Sequence, residues 1–374
     1  MKVDKTKWEK KTLGEVCHLY QPQTIATNCL QPTGKYLVYG ANGVIGKYDA
    51  YNHESSEVLI TCRGATCGTI NISKPFSWIN GNAMVVHPKE ENVFDFTFLG
   101  WVTSAIDYSK VITGAAQPQI TATNLRKVLI SIPPLCDQQA IATELDAIQT
   151  MIDGYKAQLE DLDALAQSIF LDIFGNVAIN DKCWEITPMG QLGDFKNGLN
   201  YSRGEKGKML KIIGVGDFQD LKSLTLFDNI PSIELESISS EYLLKNEDIV
   251  FVRSNGNKNL VGRCLEVYPN KEEVTFSGFC IRFRKSTDII NKYLVALLTD
   301  TGFKKAHILK SNGIGIQNIN QKLLSNLPIP VPPIDLQKQF AERVESIEQQ
   351  KELIRQQLAD AEQLMAERMQ YYFS

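Results

Sequence analysis

The sequence predicts an α+β protein that is an internal repeat: two β-rich domains, each followed by a long helix. Three observations predict it. A proline-rich strand end runs into a helix twice, as Leu129-Ile-Ser-Ile-Pro-Pro-Leu-Cys-Asp-Gln138 and as Leu327-Pro-Ile-Pro-Val-Pro-Pro-Ile-Asp-Leu-Gln337. The offset of 199 residues that carries Pro133 onto Pro332 also carries Gln138 onto Gln337. It carries Ile141, Leu145, Ile148, Leu159 and Phe174 onto Phe340, Val344, Ile347, Leu358 and Phe373. The domain heads repeat too: Trp8-Glu9 with Leu13-Gly14 recurs at an offset of 176 as Trp184-Glu185 with Met189-Gly190, so the second globular segment is longer by 23 residues. A repeat on this scale decides the architecture before any local motif does.

The elements follow in order. Residues 1–134 form the first domain, where Glu57-Val-Leu-Ile-Thr61 and Asn82-Ala-Met-Val-Val-His87 are β-branched or apolar runs bounded by Gly and Asn, the pattern of strands and tight turns. Helical pattern there is clearest near 97–109. Residues 135–175 form the first long helix. Its apolar positions Ile141, Leu145, Ile148, Ile152, Tyr155, Leu159 and Leu162 step by four and three, the spacing of a coiled-coil seam. Residues 176–333 form the second domain, with strands at Asp248-Ile-Val-Phe-Val252 and Gly278-Phe-Cys-Ile-Arg-Phe283 and helical pattern near 290–310. Residues 334–374 form the second long helix, whose seam is Phe340, Val344, Ile347, Lys351, Ile354, Leu358 and Ala361, with Lys351 its one polar break. Prolines mark both helix starts, and Asp137 and Asp335 meet the positive end of each helix dipole. Each helix of about 40 residues is roughly 60 Å long and cannot bury its stripe alone, so the two are expected to pack on each other within one chain.

The chain has 374 residues, 43% of them hydrophobic, and a net charge of -4. No apolar run approaches the ~18 residues of a membrane span, and a cytoplasmic location is expected. Eight cysteines without a CxxC pair and four histidines give no zinc spacing, so neither a metal nor a cofactor is expected. Divided by segment, the charge is +3 for 1–134, -7 for 135–175, +3 for 176–333 and -3 for 334–374. Mildly basic domains beside acidic helices permit phosphate contact on the domains and disfavour it on the helices.

Polar loops are the candidate binding elements. In the first domain they are 40–48, 62–68 and 78–82; in the second, 197–204, 253–263 and 311–315. Arg63 and Arg253 each follow an apolar strand and precede a glycine-rich turn, so the halves are expected to offer equivalent constellations. Around them, Lys47, Thr66, Asn82, Gln117 and Gln119 in the first domain carry donors and acceptors that match base edges and phosphates. Asn255, Asn257, Lys258, Arg263, Asn312 and Gln317 do so in the second. Both helices end with more apolar surface than a seam needs. Met151, Leu165, Phe170, Phe174, Met365 and Met369 therefore either dock on the neighbouring domain or form a partner-binding patch.

Catalytic signatures are missing: there is no dinucleotide fingerprint, no GxxxxGK[ST], and no Asn- or Asp-Pro-Pro-aromatic element for amino methylation. With the Trp-Glu…Leu-Gly head, Tyr39-Gly-Ala-Asn-Gly-Val-Ile-Gly46, Gln119-Ile120, Asn318-Ile319 and above all the duplicated Ile-Pro-Pro-Leu/Ile-x-x-Gln junction assembled, the chain resembles the specificity subunit of type I restriction-modification systems. The resemblance implies two target-recognition domains related by a pseudo-twofold repeat and held by an antiparallel coiled coil of the two helices. It implies that each domain reads one half of a bipartite site in double-stranded DNA and that the helices measure the unread spacer. Methyltransferase subunits, two of them, and restriction subunits would be the partners and carry the catalysis. Cys136-Asp137 departs from the acidic pair usual before that glutamine. Two other readings stay open on the residues alone: an orphan specificity subunit of a modification-only system, and a scaffold whose domains bind protein.

Overall fold

Trp8-Glu9 and Trp184-Glu185 open two copies of one arrangement. The computed structural model describes residues 3–90, 93–114, 117–201, 207–218, 223–254, 257, 260–309 and 318–374. The chain divides into two compact units, Met1–Ala157 with Arg355–Ser374, and Gln158–Ile354. The long helices run Leu135–Phe174 and Ile334–Phe373, so each contributes to both units.

In the first unit the strands are β1 (Glu9–Thr12), β2 (Cys17–Tyr20), β3 (Tyr36–Gly40), β4 (Gly43–Tyr48), β5 (Val58–Thr61), β6 (Ile70–Ile72), β7 (Trp78–Ile79), β8 (Ala83–Pro88) and β9 (Leu129–Ile132). β1 pairs with β9; β2, β8, β5 and β6 form a four-stranded sheet; β4, β3 and β7 form a three-stranded one. In the second unit they are β10 (Glu185–Pro188), β11 (Gly193–Asn197), β12 (Lys208–Ile213), β13 (Ser223–Leu224), β14 (Ser232–Leu235), β15 (Asp248–Val252), β16 (Cys264–Val267), β17 (Val274–Phe276), β18 (Cys280–Lys285) and β19 (Pro328–Val331). β10 pairs with β19, β11-β18-β15-β16-β13 form one sheet and β14-β12-β17 another, the same order with β13 added. β5 and β15 are buried at every position, so they read as unbroken apolar runs, without the alternation of a half-exposed strand.

The repeat holds to the level of register. Glu9 lies opposite Ile132 and Glu185 opposite Val331; Leu13 and Met189, both fully buried, donate their backbone N–H to Val128 and Leu327 at 2.8 and 3.0 Å. The proline-rich strand β19 is tolerated because its sheet has only two strands and needs no N–H on the outer edge.

The junction glutamines explain why they recur. Gln138 is 1% exposed; its Oε1 accepts from the Asp95 N–H at 2.9 Å, and its Nε2 donates to the Val93 and Pro133 carbonyls, both at 2.9 Å. Gln337, also 1% exposed, accepts from the Ile290 N–H at 2.9 Å and donates to the Pro332 carbonyl at 2.8 Å. Asp95 and Ile290 are the cap residues of the helices Phe96–Ser104 and Asn291–Thr299. Each glutamine thus ties the start of a long helix to the start of its unit's own helix.

The helix seams are buried or half-buried within each unit. In the first, Ile148, Ile152 and Ala361 pack with Tyr155, Leu358, Leu364 and Met365, flanked by ion pairs Lys156–Glu362 at 3.1 Å and Arg368–Glu144 at 2.9 Å. In the second, Phe340 packs against Phe170 and Phe174 with ring centroids 5.5 and 5.3 Å apart. The polar break in the seam is satisfied there: Lys351, 5% exposed, contacts Asp163 and Glu348, each at 3.1 Å.

Candidate nucleic-acid interface

In the first unit β5 carries the chain out of the core and delivers Arg63 to the surface. Cys62 is still fully buried, and burial pushes its thiol up to about 11, which keeps it protonated and unreactive. Its N–H donates to the Asn82 carbonyl at 3.1 Å and its carbonyl accepts from Ile120 at 2.9 Å. Arg63 then pairs with Gln119 in an isolated bridge, and the Gly64 N–H reaches the Pro118 carbonyl at 3.1 Å. The turn closes on itself with Thr69 donating to Thr66 at 3.0 Å. The Thr61 hydroxyl donates to the Ala41 carbonyl and lies 3.3 Å from Asn42 Oδ1, which brings the 40–43 turn to the same place.

Arg63, Thr66, Asn82, Gln117 and Gln119 are all exposed, and these contacts gather them on one surface of the unit. Lys47 does not join them. It is exposed on β4 opposite Leu37, four residues past the turn, ~13 Å away along a strand.

The second unit repeats the framework with a shift. The Arg253 N–H donates to the Phe279 carbonyl at 2.7 Å, its carbonyl accepts from Ile319 at 2.8 Å, and Ser254 bridges Asn318. Thr61 lies opposite Ala83 as Val252 lies opposite Cys280. Arg253 therefore stands where Cys62 stands, and Ser254 where Arg63 does. The expected equivalence of Arg63 and Arg253 is one residue out of register. Alternate residues of an extended chain face opposite ways, so the two arginines are not interchangeable. Arg63 is exposed, whereas Arg253 is half-buried with its Nη1 3.4 Å from the Gly278 carbonyl.

The remaining expected residues of this unit divide. Asn257 is exposed, and its carbonyl accepts from Leu260 at 3.1 Å. The Arg263 guanidinium donates to the Phe218 carbonyl at 3.1 Å and so holds backbone. Asn255, Lys258, Asn312 and Gln317 lie outside the described residues. Two exposed aromatics were not among the expected contact residues: Tyr201 at 41%, within the expected loop 197–204, and Phe279 at 62%. Aligning Gly278 with Gly81 would have flagged Phe279, because it occupies the place of Asn82.

The surplus apolar residues of the helices go mostly inward. Phe170 and Phe174 are 3% and 1% exposed in the second core, and Met365 and Met369 pack partly buried against the first. As candidate partner contacts Phe170 and Phe174 are corrected to core residues, since a ring removed from water here cannot also present a surface. Met151 and Leu165 remain 43% and 47% exposed.

Guanidinium, carboxamide and hydroxyl groups on glycine-rich turns can pair with base edges and phosphates. Among the described residues no group of three or more His, Cys, Asp or Glu could hold a metal ion, and no helix is long and apolar enough to cross a membrane.

The sequence model of the type I restriction modification DNA specificity domain family matches residues 5–163 and again residues 181–363. The chain belongs to that family. Each match spans one set of strands with its exposed turns and most of one long helix, so the family repeat and the structural repeat coincide. Among curated members, the StySPI specificity subunit of Salmonella potsdam is 26% identical over 337 residues, 86% of this chain and 68% of that one. The EcoKI specificity subunit of Escherichia coli is 24% identical over 346 residues, with the same coverage. The fold matches a type I restriction-modification S subunit from M. genitalium with a TM-score of 0.65 at 16% identity, covering 100% of this chain and 98% of that one. A chain solved in a study of complex assembly and conformational transition of the type I R-M system aligns at a TM-score of 0.56 and 16% identity over 99% of this chain and 98% of its own.

Proposed function

We propose that this specificity-domain protein is the DNA-recognising subunit of a type I restriction-modification complex, and that each unit reads one half of a bipartite site in double-stranded DNA. The observation that carries the reading is the double family match, one copy per half, each containing the same exposed framework. In this reading the chain is not itself an enzyme and needs no cofactor. Two methyltransferase subunits transfer the methyl groups, restriction subunits join through the complex, and the assembly works in the cytoplasm. Residues 1–134 and 176–333 are the target-recognition modules.

The two long helices, 135–175 and 334–374, form an antiparallel coiled coil that sets the spacer. Contacts within each unit support this. In the first, Glu144 meets Arg368 while Lys156 meets Glu362; in the second, Asp163 meets Lys351 while Phe174 meets Phe340. Numbers rise along one helix as they fall along the other. Methyltransferase subunits dock on the outward side chains Met151 and Leu165.

Methylome sequencing of a host with and without this chain tests the function; a split motif that appears only with the chain is the expected result. Removal of one heptad from both helices shortens the coil by ~10 Å, about three base pairs of rise. The half-sites should persist while the spacer shrinks, and an active deletion variant with an unchanged spacer rules out the ruler.

A further inference from the structure

The two units turn one corner identically and place different side chains on it. In the first unit the chain leaves β7 through Asn80, Gly81 and Asn82 into β8; in the second it leaves β17 through Ser277, Gly278 and Phe279 into β18. The residue after each glycine accepts from the end of the central strand, Asn82 from Cys62 at 3.1 Å and Phe279 from Arg253 at 2.7 Å. Both glycines are walled by the segment that follows the unit's first sheet strand. Gly81 accepts from Gln21 Nε2 at 2.8 Å, and the Gly278 N–H donates to the Leu199 carbonyl at 2.8 Å. A Cβ on Gly81 would lie 2.5 Å from the Pro22 carbonyl oxygen; one on Gly278 would lie 2.1 Å from Asn200 Oδ1. At Gly81 the obstacle is backbone and at Gly278 it is the tip of the Asn200 side chain, and in both units the next residue carries what the corner presents.

What it presents differs in kind. Asn82 is an exposed carboxamide; Phe279 is a phenyl ring left 62% exposed beside Arg253, and Ser254 and Asn318 bridge next to it. A ring so exposed contributes little to folding, and it has no donor or acceptor to offer water.

We infer that the residue after the walled glycine is a base-reading position in each unit, and that in the second unit Phe279 meets the C5 methyl group of a thymine. The inference rests on the DNA-recognition reading above and adds the chemistry of one target position. A phenyl ring that reads an intact base pair from the major groove does so by apolar contact, and among the groups that the four natural bases present there the thymine methyl is the apolar one. The carboxamide of Asn82 fits the N6 and N7 positions of adenine at the matching place in the other half-site. The half-site read by the second unit therefore contains a thymine whose methyl group is recognised, whatever its other bases.

The test uses the chain assembled with its methyltransferase subunits. Methylomes of hosts carrying the unaltered chain, Phe279→Ala and Phe279→Asn are compared first. One position of one half-site should relax or change, while the other half-site stays as it was, which also reports that the variants assemble. Binding is then measured on duplexes in which each thymine of that half-site is replaced in turn by deoxyuridine, a change that removes the methyl group alone. One replacement should weaken the unaltered complex about fourfold, the worth of one buried methyl, and should leave Phe279→Ala unchanged. The deoxyuridine series on the unaltered complex needs no variant to fold. A complex indifferent to every replacement, or a motif retained in full by both variants, overturns the inference while the functional reading stands. A chain that directs no split methylation overturns that reading and this inference with it.

Discussion

The first unit buries a glutamate beside a histidine at the place where the second buries an aspartate beside an arginine. Glu57 precedes β5 and receives His87 Nδ1 at 3.1 and 3.0 Å on its two carboxylate oxygens. Asp248 opens β15 and is held by Arg284 through Nε and Nη2, both at 2.7 Å, with a further bond from the Lys245 N–H at 2.7 Å. Val58 lies opposite Val86 and Ile249 opposite Phe283, so the two pairs are one position of the repeat. The arginine pair is bidentate, with two nitrogens on two oxygens, whereas the histidine meets its glutamate through one ring nitrogen. One scaffold thus fixes its central strand by a two-pronged contact in one copy and a single-nitrogen contact in the other.

That contrast can be broken at its strongest point. Asp248→Ala should cost about 3 kcal/mol in denaturant unfolding, because it strands an arginine that cannot discharge. Glu57→Ala should cost about 1 kcal/mol, since His87 is 47% exposed and its ring nitrogen can turn to water. Equal losses would erase the distinction.

At the interface the copies differ by register. Arg63→Ala should remove a direct contact and cost about 1–3 kcal/mol of specific binding, seen as a change at one half-site in methylation profiling. Arg253→Ala should act on the other half-site through the Gly278 corner and cost less. Loss of the same half-site in both variants would refute the assignment.

The junction glutamines should behave alike. Gln138→Ala and Gln337→Ala each leave a helix-capping N–H without its buried partner and should each cost about 1.5 kcal/mol by thermal unfolding. A large difference between them would show that the repeat holds in geometry but not in energy.

The smallest effect is the response to acid. Burial lowers the His53 pKa below the usual histidine value, against the attraction of Glu57 and with the repulsion of His87. The unfolded chain then binds this proton more readily than the folded one. Stability should accordingly fall as pH drops through the ordinary histidine value near 6.5 and level off below the folded pKa. His53→Gln should flatten the stability difference between pH 7.5 and 5.5, and an unchanged slope would remove His53 as its source.

The architecture was legible because its signals are covalent in spacing. Pro133-Pro134 and Pro332-Pro333 mark helix starts by stereochemistry, and the four-three steps from Ile141 onward mark a buried stripe in any fold. The Arg63–Arg253 slip came from reading "apolar strand, then arginine" without strand pairing; only the hydrogen bonds from Cys62 to Asn82 and from Arg253 to Phe279 reveal which residue ends each strand. Phe170 and Phe174 were ambiguous for a related reason. Apolar residues past a seam look the same whether they meet a neighbouring core or a partner, and the deciding rings, Tyr293 and Phe340, are more than a hundred residues away. Phe279 escaped notice because the run 278–283 reads as one strand, whereas the strand begins at Cys280 and Phe279 sits on the corner before it.

The membership of residues 355–374 in the first unit has a consequence for how the protein is made. Tyr372 is 1% exposed and bonded to Glu144 at 2.7 Å, Phe373 packs 5.8 Å from Phe98, and the Tyr371 hydroxyl lies 3.3 Å from the Val3 N–H. A ribosome therefore finishes every residue of the second unit before it supplies the last segment of the first. At ~5–20 residues per second, the delay between residue 157 and residue 374 is on the order of ten to forty seconds. Through that interval the Ile148 and Ile152 face of the nascent helix stands uncovered, an apolar stripe for a chaperone to hold, and the half of the protein that is synthesised first is the half that matures last.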